Sequence, residues 1–231
     1  MPSDAYLKVI LEAKDLSAKG FRSFQNTVAA VTRSVFSLQG GLASLGVALT
    51  GREIFDAGRN MAQLEKAFTE ITGSTAAMGQ EFDFVRDVAE RMGQNFYDLI
   101  PTYKGLLAAS QGTNLEGAKT RDIFAAITKA SATLGLSSEQ TAGALRAIEQ
   151  MMSKGKVQAE ELRGQLGERL PGAFKLAAEA MGVTTAELNK MLDDGKVLAD
   201  DLLPKLADVL NDRYSGAVDK ATQAVNKLSQ A

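Results

Sequence analysis

The chain contains no cysteine and no histidine. Without cysteine it has no disulfide, no thiolate nucleophile and no sulfur ligand for a metal. Without histidine it lacks the side chain that most often acts as general base near neutral pH and as zinc ligand. Tryptophan is absent too, and aromatic residues make up only 6%. The core must therefore come from Leu, Val, Ile, Ala and Met, a set that suits helices packed at close range. Proline occurs only at Pro2, Pro101, Pro171 and Pro204, which leaves long runs free to be helical. Charge of one sign is also missing, since the formal net charge is −2. A general nucleic-acid binder needs a basic surface to displace counterions from phosphates, so no nucleic-acid binding is expected. No basic and apolar leader opens the chain, so no signal peptide is expected. Nothing calls for a cofactor or a metal.

What is present is hydrophobic sequence at 45% and charged sequence at 23% of 231 residues. That is enough for a core, in one large domain or two small ones. Near the start, Leu7, Val9, Leu11 and Ala13 alternate with period two and predict one short strand. From Asp15 the period changes. Phe21, Phe24, Val28, Val31, Val35 and Leu38 form a heptad seam, and Ile54, Ala57, Met61, Leu64, Phe68 and Ile71 form a second, closed by Gly73. Gly40, Gly41, Gly46 and Gly51 lie between them. The rest predicts an all-α fold, a bundle of short helical hairpins flanked by these longer heptad helices. The expected division is 1–75 for the strand and first seams, 76–213 for the hairpins, and 214–231 for the start of another heptad helix.

Glycine punctuates the hairpins. Apolar residues at helical spacing run up to Gly93, Gly135, Gly155, Gly182 and Gly195, and a glycine just past a helix closes it without a Cβ clash. Starts follow the stops. Ser137 with Gln140, and Thr184 with Glu187, fit the capping box. Asn95 or Asp98 can cap the helix that contains Pro101.

One repeat is internal. Residues 148–162 (IEQMMSKGKVQAEEL) align with 188–202 (LNKMLDDGKVLADDL) at a constant offset of forty. Each copy reads as a helix, a Gly-Lys-Val turn and a second helix opening with two acids, which suit a helix N-terminus. The expected interaction motif is Gly155, Lys156, Val157, Leu162, Gly164, Leu166, Gly167 and Leu170 in the first copy. In the second it is Gly195, Lys196, Val197 and Leu202.

Catalytic material is thin. The acidic pairs Glu160–Glu161, Asp193–Asp194 and Asp200–Asp201 are adjacent on helices, so the members of each pair point in different directions. They read as solvated helix-start charges. Glu168, before Pro171, is a weak echo of a lytic transglycosylase and reads as a salt-bridging surface acid. Lys156 and Lys196 follow glycines but lack the rest of a phosphate loop. Met151, Met152, Met181 and Met191 read as core filler. Ser34 to Gly51 carries no charge between Arg33 and Arg52. It is borderline for a membrane span and reads first as a buried helical hairpin, second as a point of host-membrane contact.

From about Phe55 to Tyr214 the chain resembles the N-terminal domain of phage tail tape measure proteins. The run from Ser153 to Phe174 (SKGKVQAEELRGQLGERLPGAF) carries the resemblance, and Ala180 to Leu192 (AMGVTTAELNKML) continues it. Leu64 to Ser74 also fits, as does the opening around Leu7-Lys8-Val9 and Ala13 to Leu16. The resemblance implies a structural, non-enzymatic protein in the virion tail lumen, made in the host cytoplasm, that sets tail length during assembly. It implies tail tube proteins, tail-tip proteins and tail assembly chaperones as partners. A tail-associated peptidoglycan hydrolase and a membrane-inserting module for DNA ejection are the alternatives. Family members continue into a long helical rod, and this chain as one unbroken helix would reach roughly 350 Å. The seam of Tyr214, Val218, Ala221, Val225 and Leu228 runs to Ala231 without a stop. The expectation is a helix that is solvent-exposed or self-associating there, with the rod encoded beyond Ala231.

Overall fold

The computed structural model describes residues 63–215. The N-terminal strand, the first heptad seam, the segment Ser34 to Gly51 and all but the first residue of the last seam lie outside the described residues. Those described are all-α, without a strand among them. The chain divides into two compact units, Met1–Gly79 and Gln80–Ala231.

In the first unit, residues 63–72 are the described end of the second seam. Phe68, an expected seam position, is fully buried. Gly73 ends this helix in the left-handed region at φ +76°. Ser74 opens the next, its Oγ accepting from Ala77 N–H at 3.1 Å. That next helix is α1 (Thr75–Met92).

The second unit continues with α2 (Phe96–Ser110), α3 (Ala118–Thr133) and α4 (Ser138–Lys154). A π-helix, π1 (Glu160–Leu166), follows and runs into one short α-turn, Gly167–Arg169. Then come α5 (Ala173–Met181), α6 (Thr185–Asp193) and α7 (Ala199–Arg213). All five glycines expected to turn hairpins have positive φ, between +62° and +74°. Both expected capping boxes are formed in full, at Ser137/Gln140 and Thr184/Glu187. Asn95 rather than Asp98 caps α2, its side chain accepting from Tyr97 N–H at 2.8 Å.

Helix α4 is the centre. It buries Ala144, Leu145, Ala147, Ile148 and Met151 completely, packs along α2 and also touches α3, α7 and π1. Two glycines let side chains cross its face. The Glu149 carboxyl lies over Gly105 of α2, and the Arg169 side chain lies over Gly143 of α4. Burial raises the Glu149 carboxyl above its usual range, against the lowering pull of Arg146 and Lys104.

The few aromatics gather where α1, α2 and α3 meet. Tyr103 and Phe124 have ring centroids 4.8 Å apart, and Phe84 lies 5.5 Å from Tyr103. The buried Tyr103 hydroxyl donates to Glu81 Oε2 at 2.5 Å. Arg121 grips the same carboxylate with two bonds, at 2.7 and 3.1 Å. That fork ties three helices through one acid. Burial, and then the bond to Glu81, push the Tyr103 phenol far above its ordinary value.

Candidate functional site

Within the motif, the two Gly-Lys-Val turns meet each other. Gly155 closes α4 at φ +68° and Gly195 follows α6 at φ +65°. Gly155 N–H donates to Met152 O at 3.1 Å, and Gly195 N–H donates to Leu192 O at 2.9 Å. Met152 and Leu192 are repeat equivalents, so the turns are closed by the same bond.

Beyond the glycines both chains extend for a few residues and pair. Lys156 forms an antiparallel bridge with Leu198. Val157 N–H donates to Val197 O at 2.9 Å, and Ala199 N–H donates to Gly155 O at 3.1 Å. In this register Val157 stands opposite Val197, its own equivalent. The alternation of an extended chain sends both valines inward, where each is essentially fully buried. Lys156, Gln158, Lys196 and Leu198 face solvent. Lys196 pairs with Asp194 at 2.8 Å.

The motif leucines are internal. Leu162, Leu166, Leu170 and Leu202 are all fully buried, and Gly164 and Gly167 are half-buried. The exposed side of the motif is therefore the lysine side of the paired turns.

The acids divide. Glu160, Asp193, Asp194 and Asp201 are exposed and Asp200 is half-buried. Glu160, Asp200 and Asp201 lie at helix starts as expected, whereas Asp193 and Asp194 lie at the C-terminal end of α6, because the Gly-Lys-Val turn follows them. Glu161 instead is 1% exposed on π1 and takes an ion pair from Lys154 at the end of α4. Its charge was expected in solvent, but π1 packs on α4 and closes over it. Glu168 is exposed. Among the described residues, burial raises the carboxyls of Glu149 and, in the first unit, Glu65. Neither belongs to the acidic pairs. Among the described residues no group of three or more Asp or Glu could hold a metal ion. No described helix is long and apolar enough to cross a membrane.

Three features escaped the sequence reading: the Lys154–Glu161 pair, the π-helix, and the glycine seats of Glu149 and Arg169. The first had a signal, because Lys154 precedes Glu161 by seven residues across a turn. The third had none, since each glycine meets a side chain far along the chain.

A family model described as "Tape measure protein" matches residues 52–231. The chain belongs to the tape measure protein family. A curated relative, the "Probable tape measure protein" of Salmonella phage Felix O1 (isolate Felix O1-VT1), is 37% identical over 203 residues. That alignment takes in 86% of this chain and 27% of the relative's length. No solved structure matches the chain. The family is one of structural, helical phage tail proteins, and the matched region contains the whole hairpin unit with both copies of the repeat.

Proposed function

We propose that this chain is a structural part of a phage tail tape measure protein, acting in tail assembly and length determination through protein–protein contacts inside the tail tube. The observation that carries this reading is the family match across the entire hairpin region. Residues 76–213 are the working helical domain, and the paired Gly-Lys-Val turns are its contact surface. Lys156 and Lys196 head that surface, while Leu162, Leu166, Leu170 and Leu202 hold it rigid from within. Tail tube and tail-tip proteins and tail assembly chaperones are the partners, in the host cytoplasm during assembly and in the tail lumen afterwards. The role requires no catalysis, and the exposed helix-start acids are suited to solubility rather than to hydrolysis.

Cross-linking of assembling tails, read by mass spectrometry, tests the reading. Peptides spanning Lys156 and Lys196 are expected to join tube, tip or chaperone peptides. Absence of this chain from purified tails would sink it. Zymography tests the enzymatic alternative. Cell-wall clearing that disappears on replacing Glu168 would mean a hydrolase instead.

A further inference from the structure

The second helix of each repeat starts the same way and then diverges. Leu162 N–H donates to Gln158 O at 3.1 Å, and at the equivalent place Leu202 N–H donates to Leu198 O at 3.0 Å. Both are α-type bonds. The second copy then continues as regular α-helix from Ala199 to Arg213. The first widens into π1, where Gly167 N–H is shared between Gly164 O and, five residues back, Leu162 O. Such turns are rare because the wider ring is less favourable than the α-turn.

Sequence differences between the copies fall where the geometry parts. Gly164 and Gly167 in the first correspond to Pro204 and Ala207 in the second. A Cβ on Gly167 would stand 3.3 Å from the Leu162 carbonyl oxygen that accepts the π-type bond. Alanine therefore presses on that bond, and glycine admits it. The same segment bears a second burden. Glu161 Oε2 is buried without a hydrogen-bond partner among the described residues, a costly state for a carboxylate oxygen. The α alternative forfeits no leucine burial, as the second copy demonstrates. Leu202, Leu206 and Leu210 are buried from a regular helix as completely as Leu162, Leu166 and Leu170 are from the widened one.

We propose that Glu160–Leu166 is a two-state element, π-helical in the state described here and regular α-helix in a second state with the geometry of Ala199–Arg213. Conversion passes one residue toward the Leu170–Gly172 loop and rotates everything beyond it. Arg169 is carried off Gly143, and α5, which packs on π1, is re-aimed against α4. The joint between α4 and α5 is thus where the domain changes shape without unfolding.

Residue-resolved hydrogen exchange on the full 231-residue chain tests this. Amides of residues 163–170 are expected to exchange on the order of 100-fold faster than those of 203–210, by a local route. Gly167→Ala is expected to bring the two segments to similar rates. Its crystal structure is expected to show the residue 167 amide bonded to Arg163 O. Gly164→Ala, whose Cβ meets nothing within 4 Å, is the control for general helix propensity and is expected to leave the ratio of rates unchanged. Equal exchange of the two segments in the unsubstituted chain would overturn the proposal, and that measurement stands even if Gly167→Ala does not fold. So would a Gly167→Ala structure that keeps the bond to Leu162 O, or a Gly164→Ala effect as large as that of Gly167→Ala.

Discussion

Glu161 takes a full charge into the interior, with Lys154 as its cation and the lysine itself 44% exposed. Removing one member of such a pair leaves the other uncompensated, so the two members are not equivalent targets. Lys154→Met strands the carboxylate. It is expected to cost about 1–3 kcal/mol in urea denaturation, below the fully buried case because water reaches the lysine. Glu161→Gln strands only a solvated lysine and is expected to cost less than half of that. Equal losses would show that the pair is no more than a surface bridge. Tyr103 makes a second prediction. Its phenol is raised above the ordinary value of 10.0 by burial and by Glu81, so the folded state holds a proton that the unfolded state releases in alkali. The stability tied to Tyr103 is complete below the ordinary phenol value and falls as pH rises past it. Alkaline difference spectra of the folded chain should keep their amplitude in Tyr103→Phe, because Tyr103 contributes nothing until unfolding. A drop in amplitude would place the hydroxyl in contact with solvent.

Helix ends set the next scale. Both capping boxes join residues three apart, so Ser137 with Gln140 and Thr184 with Glu187 could be read before any tertiary contact was known. The turning glycines were legible for the same reason, since a left-handed closing residue is a local demand. The π-helix was not legible. The run from Glu160 to Arg169 has ordinary helical composition, and its widening depends on packing against α4 and α5. The burial of Glu161 was hidden likewise, because adjacent acids at a helix start usually meet water. In the site, the motif residues were all visible in the repeat, but nothing in one strand of text says that the two copies would pair with each other. Ser137→Ala and Thr184→Ala are each expected to cost about 1 kcal/mol, measured by thermal or urea unfolding. Backbone and side-chain bonds from Thr184 hold Glu187 below the usual carboxylate range. The contribution of that acid is therefore present above the ordinary carboxylate value and is lost as pH falls through its own lowered one. Hydrogen exchange of α6 should quicken on that acid side, and in Thr184→Ala, which removes the hydroxyl but keeps the backbone N–H bonded to Glu187, this pH dependence should weaken without disappearing.

At the scale of the whole unit, the meeting of Val157 and Val197 has a consequence in time. The largest helix contacts here, α2 with α4, α3 with α7 and α5 with α7, join elements that are not neighbours in sequence, and such contacts slow folding. The bridge also ties two distant turns, forty residues apart, and is expected to close only when the hairpins on both sides already exist. The pairing of the copies is then expected to follow the hairpins, as a latch. A latch formed late weighs on unfolding rather than on folding. Val157→Ala and Val197→Ala are expected to speed unfolding while barely slowing refolding, with φ-values near zero. Leu145 and Ile148, inside the α2–α4 contact, are expected to give clearly higher values on truncation. Slow refolding in both valine variants would instead make the paired turns the nucleus of the fold. If they are the latch, the duplicated motif guards the finished domain against coming apart and does little to build it.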